Sequence, residues 1–152
     1  MDACGYGLGG VFFSQGHNPK VWQDPLPEHL VKRLVSTSNP EGDVTNSDFE
    51  QAANIMQHDN IAHTFDIREV TIANLTDNTP TLTHHFKGST TTEGPASYLC
   101  QILSLHQRFH HYCAEVSFIN GEANVMADDA SCLQHLTDAK LLNHFNSHYP
   151  QE

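Results

Sequence analysis

Basic residues are scarce in this chain of 152 residues, which has seven lysines and arginines against 18 aspartates and glutamates. The net charge of −11 opposes tight independent binding to a polyanion, because few basic side chains are present to neutralise phosphates. The twelve histidines add positive charge only below about pH 6.5. A role with nucleic acid would therefore need a neighbouring domain to supply the basic surface.

The sequence also has no long apolar run and no closely paired cysteines. No apolar run approaches the roughly 20 residues of a membrane-spanning helix. The first ten residues, MDACGYGLGG, have no basic region and no apolar core, which is not typical of a secretory signal peptide. The four cysteines are scattered without a CxxC pair, which favours reduced, packed thiols. We expect an intracellular protein, cytoplasmic or nuclear, with no membrane partner.

Hydrophobic periodicity and turn residues predict a single α/β domain over residues 1–152, with a helical tail at 134–152. Two strands flank the glycine-rich turn near the start, and prolines predict an irregular stretch until about Glu28. The later predicted elements are a strand at 33–38, a helix capped by Asn46 or Ser47, a buried strand at 70–76, a helix from Pro80, a helix at 95–111, a strand at 114–119 and two further helices. This order predicts a five-stranded mixed sheet with helices on both faces and its first three strands antiparallel.

Four acidic residues lie at comparable places in these predicted elements: Asp2, Glu50, Asp77 and Asp128. Ligand sites of α/β sheets usually form at the carboxyl ends of the strands. Crowded carboxylates repel one another unless a cation lies among them, and hard oxygen ligands suit Mg²⁺ or Mn²⁺. Two such ions about 3.5–4 Å apart activate a water and stabilise the leaving oxygen in phosphodiester hydrolysis.

Four segments, DACGYGLGGVFF, TNSDFEQAA, LTDNTPTL and INGEANVMADDAS, resemble the ribonuclease H domain of retroelement polyproteins over roughly residues 1–133. The resemblance implies a ribonuclease H-like fold and two-metal hydrolysis of RNA in RNA–DNA hybrids, with a fused or neighbouring reverse-transcriptase domain as partner. It places Asp2, Glu50, Asp77 and Asp128 at the catalytic, metal-binding positions. Asn46 falls on a position that contacts the substrate backbone in the family.

The chain departs from the family pattern in three places. FING stands where the family commonly has His-x-Pro-Gly, and Cys132 stands where an arginine often follows the motif's serine. The first strand is also short, which predicts a fragment of a longer polyprotein or a decayed copy. Two alternatives stay open: a catalytically degenerate ribonuclease H-like module, and a nuclease or recombinase of the same fold that acts on DNA.

The histidine spacing does not favour a zinc site in the sequence alone. His84 and His85 are adjacent, as are His110 and His111, and adjacent residues on a helix point in different directions. His58 and His63 are five residues apart, whereas ligands on one helical face are three or four apart. We expect the histidines to be surface residues, any of which can serve as a proton shuttle.

Overall fold

The computed structural model describes residues 1–81 and 94–150, which form an α/β fold of short strands and helices. The strands are β1 (Asp2–Cys4), β2 (Gly7–Phe12), β3 (Lys20–Pro25), β4 (Thr71–Thr76) and β5 (Cys113–Phe118). The helices are α1 (Glu28–Val31), α2 (Asn46–Thr64), α3 (Pro95–His110), α4 (Val125–Cys132) and α5 (Asp138–His148), and a 3₁₀ turn spans Gly121–Ala123.

The first three strands form an antiparallel sheet with β2 at its centre. Three antiparallel strands were predicted, although the third of them was predicted at 33–38. Asp2 pairs with Gly9 in β1–β2, and Gly9 pairs with Gln23 in β2–β3. The glycines of β2 let helices approach both faces of this sheet. A Cβ at Gly9 would overlap the Ala130 backbone of α4, and one at Gly10 would lie 2.6 Å from the Gln57 side chain of α2.

Strands β4 and β5 form a separate parallel pair, in register from Thr71 opposite Cys113 to Thr76 opposite Phe118. The expected single sheet of five strands is therefore found as three antiparallel strands plus two parallel ones. The two sheets meet where the terminal ammonium of Met1 donates a hydrogen bond to the Leu75 carbonyl oxygen at 3.4 Å. A cavity of about 610 Å³ separates the end of β2 from β4 beyond this contact.

Helix α2 contacts both sheets through polar side chains as well as apolar ones. Phe49 and Ala53 pack in the core against the three-stranded sheet. Gln57 donates to the Val11 carbonyl oxygen of β2 at 3.1 Å. Asn54, fully buried, accepts a 2.6 Å hydrogen bond from the Asn74 amide of β4. These directional bonds hold α2 against strands from both sheets.

Two element predictions need correction. The third strand is β3 at Lys20–Pro25, whereas the predicted strand at 33–38 forms turns with isolated bridges. Prolines do not interrupt β3, because Pro19 lies just outside it and Pro25 is its last residue. In β4, Ile72 is buried as predicted, but Leu75 is 46% exposed. The helix predicted from Pro80 is helical at residues 79–81, and its remainder lies outside the described residues.

None of the helices in the described part of the chain is both long enough and apolar enough to cross a membrane.

Candidate metal centre

Three carboxylates from distant parts of the chain converge at one edge of the fold. Asp2, Glu50 and Asp77 each offer an oxygen atom, and these atoms all lie within 4.8 Å of one another. Asp2 and Glu50 are buried, whereas Asp77 is half-buried and opens the cluster toward solvent. The structure thus brings together three of the four acidic residues predicted as metal ligands.

The position of Glu50 follows from the way in which α2 begins. Thr45 is the N-cap, not Asn46 or Ser47, and its side chain accepts a hydrogen bond from the Asp48 backbone amide at 3.3 Å. The Asp48 carboxylate in turn accepts from the Thr45 backbone amide at 2.7 Å, which completes a capping box. Because the box fixes where the helix starts, it fixes Glu50 one turn later, on the face toward β1.

Asp2 is held by its strand and by α4. It is the first residue of β1, and its Oδ2 accepts a 3.0 Å hydrogen bond from the buried Ser131 hydroxyl. The next residue, Ala3, donates its backbone amide to Glu50 Oε1 at 3.3 Å. One short strand therefore orients two of the three carboxylates.

Asp77 lies in the bend directly after β4. The Thr76 side chain accepts a hydrogen bond from the Asn78 amide at 3.1 Å, and Asn78 Oδ1 accepts one from the Thr81 amide at 2.9 Å. A Cβ added to Gly121, in the turn after β5, would lie 3.1 Å from Asp77 Oδ2. Glycine at this position therefore leaves room for the carboxylate, whose orientation the bend determines.

The electrostatics of the cluster are those of crowded, poorly compensated acids. Burial, together with the neighbouring Asp2 carboxylate, raises the pKa of Glu50 to about 9. Burial also raises the pKa of Asp2, while the hydrogen bond from Ser131 acts in the opposite direction. None of the ion pairs formed within residues 1–81 and 94–150 involves these carboxylates. Such a group favours either a shared proton or a cation.

Asp128 does not join this group. It lies in the first turn of α4 with an exposed side chain, and its Oδ1 accepts a 3.6 Å contact from the Cys132 thiol. The buried residues of α4 are Ala127, Ala130 and Ser131, which share one helical face, and Asp128 lies off that face. Asn46 is exposed at the first position of α2, one turn before Glu50.

A second group of residues whose ligand atoms are close enough to hold a metal ion was not predicted from the sequence. Asp59, His106 and His110 place one ligand atom each within 4.8 Å of one another, between α2 and α3. The pair His106 and His110 has the four-residue spacing that puts two side chains on one helical face. That spacing was readable within the predicted helix at 95–111, but the partner from α2 was not.

Comparison of the chain with protein-family models, with curated proteins and with solved structures finds no match.

Proposed function

We propose that this protein is a metal-dependent nuclease of the ribonuclease H type, which hydrolyses the RNA strand of RNA–DNA hybrids. The observation that carries the proposal is the convergence of Asp2, Glu50 and Asp77 within 4.8 Å, from a strand, a helix and the end of a second strand. The contact between Met1 and Leu75 further supports an arrangement in which β1 lies beside β4, as in a five-stranded ribonuclease H-like sheet.

The residues present fit a hard divalent cation. All three donors are carboxylates, the ligand type that Mg²⁺ and Mn²⁺ prefer. Glu50 Oε2 is buried without a hydrogen-bond partner, and an unpartnered carboxylate oxygen in a group of acids is well suited to coordinate a cation. When bound, Mg²⁺ supplies a water of lowered pKa and stabilises negative charge on phosphate oxygens.

The protein groups around the cluster have separate roles in this proposal. Asp2, Glu50 and Asp77 hold the cation, and Ser131 and the Ala3 amide orient the first two of them. Asn46 is exposed near the start of α2, where it is available to contact a nucleic-acid backbone. Asp128 is exposed and is not one of the three converging ligands, so it has no part in holding the cation in this proposal.

Substrate binding is expected to be the weak step of this activity. With a net charge of −11, the chain offers little attraction to a phosphate backbone, so binding should fall steeply as salt rises. A reverse-transcriptase domain, fused or neighbouring, would supply the missing basic surface. Recognition of RNA over DNA would use the 2′-hydroxyl.

The test is cleavage of a labelled RNA–DNA hybrid by the full chain at low salt with Mg²⁺, comparing Asp77→Asn with the matched control Asp24→Asn. Asp77→Asn removes a ligand while nearly keeping the side-chain shape, and we expect loss of cleavage by a factor of about 100 or more. Asp24 is exposed in β3, outside the cluster, and its variant should cleave like the parent. Chelator should stop both.

Each remaining outcome distinguishes one alternative. Cleavage that survives Asp77→Asn or chelator contradicts the proposal. Absence of cleavage by a folded parent chain, even at low salt with Mn²⁺, would favour the catalytically degenerate module. Faster cleavage of double-stranded or single-stranded DNA than of the hybrid would favour the DNA-acting nuclease.

A further inference from the structure

Two helices each bring a pair of potential metal ligands, spaced four residues apart, to the same place. Helix α2 carries Asp59 and His63, and α3 carries His106 and His110. Side chains four residues apart lie one above the other on a helical face, so each pair points toward a single region. The two pairs face each other across the packing of α2 against α3, away from the Asp2–Glu50–Asp77 cluster.

The separation of His106 and Asp59 matches that of two ligands of a tetrahedral site, and His110 lies beside them. His106 Nε2 lies 3.2 Å from Asp59 Oδ1, and the His106 and His110 rings have centroids 4.3 Å apart. Ligand atoms around a tetrahedral zinc, at about 2.0–2.1 Å from the metal, are about 3.3 Å from one another. His63 lies next to this group of three: its Nδ1 is 3.5 Å from Asp59 Oδ2 and donates to the Asp59 backbone carbonyl oxygen at 2.8 Å, so the ring must turn from that carbonyl to bind an ion.

Tyr112 orients His106 from the opposite side of the ring. Its buried side chain places the hydroxyl 2.9 Å from His106 Nδ1, which directs Nε2 toward Asp59. A tyrosine hydroxyl both donates and accepts, so it can partner either tautomer of the imidazole. When Nε2 binds a metal and loses its proton, Nδ1–H donates to the tyrosine oxygen. Such outer partners of a ligating histidine are a regular part of zinc sites.

We propose that Asp59, His106 and His110 form a zinc site that joins α2 to α3, with His63 as the fourth ligand. Two or three imidazoles and one carboxylate are a donor set for Zn²⁺, whereas Mg²⁺ takes oxygen ligands. The site is distinct from the carboxylate cluster in its ligands and in the ion that it selects. Because its ligands come from two helices, the bound ion stabilises the packing of α3 on α2.

The test measures Zn²⁺ binding to the full chain in an excess of Mg²⁺, by calorimetry and by the visible spectrum of Co²⁺ substituted for zinc. We expect one tightly bound zinc per chain and the spectrum of a tetrahedral nitrogen and oxygen site. His110→Ala removes a half-buried ligand near the helix end, so its fold should persist, and zinc affinity should fall by more than about tenfold. His106→Gln should have the same effect.

Two controls locate the ion. His148→Ala removes one of another four-residue pair, stacked on His144 in α5, and should leave zinc affinity unchanged. Asp77→Asn alters the carboxylate cluster and should also leave it unchanged. The proposal is overturned if the parent chain does not retain zinc, if His110→Ala and His106→Gln bind as the parent does, or if either control abolishes binding. If zinc affinity falls by less than threefold in His63→Ala, the fourth ligand is a water molecule and not His63.

Discussion

Replacing Glu50 with glutamine is expected to stabilise the metal-free chain while removing its capacity to hold a cation. Glu50 is 3% exposed, and its Oε2 has no hydrogen-bond partner. In Glu50→Gln, the carbonyl oxygen still accepts from the Ala3 amide, and the new amide group can donate to the Asp2 carboxylate nearby. Because the pKa of Glu50 is about 9, Glu50 is protonated at pH 7 in the folded chain. Glutamine keeps the shape and the neutral charge of that protonated acid, and the variant does not have to take up a proton on folding.

The magnitude follows from the pKa of Glu50, which is raised from its ordinary value of 4.5 to about 9 in the fold. A folded-state pKa above the unfolded one means that the folded chain binds the proton more tightly. The contribution of Glu50 to the free energy of unfolding is therefore fully present below about pH 4.5 and is lost as the pH rises toward about 9. At pH 7, which is about 2.5 units above the unfolded pKa, the parent has lost about 3 kcal/mol of its free energy of unfolding. Each unit between the unfolded pKa and the pH corresponds to about 1.36 kcal/mol.

Urea denaturation at pH 5, 7 and 8 with chelator present measures this difference. We expect Glu50→Gln to exceed the parent in free energy of unfolding by about 3 kcal/mol at pH 7, and by less than about 1 kcal/mol at pH 5. The exposed control Glu41→Gln should follow the parent at each pH. Added Mg²⁺ should stabilise the parent and not the variant. A variant less stable than the parent at pH 7 would refute the reasoning.

Two other substitutions test the packing that positions the site. Gly9→Ala places a methyl group against the Ala130 backbone, so we expect a loss of roughly 1–3 kcal/mol in thermal or urea unfolding, together with weaker metal binding as α4 moves. Unchanged stability would mean that α4 is not seated on β2 at that distance. Gln57→Leu leaves the Trp22 indole N–H and the Val11 carbonyl without their side-chain partner. We expect each unpaired group to lower the free energy of unfolding by roughly 1–3 kcal/mol. An unchanged free energy of unfolding in the same assay would contradict the hydrogen bonding described.

The elements with strong local signals were predictable from the sequence. Helix α3 and strand β5 lie within one residue of their predicted bounds, because the apolar spacing along each element marks it. The sequence does not predict strand β3, because its nearby prolines argue against a strand. They flank or end it, at positions where a strand paired on one side does not need every backbone amide.

The candidate sites depended more on tertiary structure. The convergence of Asp2, Glu50 and Asp77 followed from the order of the motifs, but the outward direction of Asp128 depends on which face of α4 packs on β2. The packing of α2 against α3 is also a feature of the tertiary structure. His106 and Asp59 are 47 residues apart in the sequence, so no local pattern predicts that they meet. Periodicity describes one element at a time and does not say which elements meet.

The buried polar face of α2 has a consequence for how accurately Glu50 is placed. Glu50, Asn54 and Gln57 recur at intervals of four and three residues, so they form one line along the helix facing the strands. An apolar helix face tolerates sliding along its neighbour, whereas Asn54 and Gln57 each find their partner at a single axial position. A slip of one residue, about 1.5 Å along the axis, would break both hydrogen bonds at once. The hydrogen bonds of Asn54 and Gln57 therefore fix the position of α2 along its axis, and with it the position of Glu50 relative to β1.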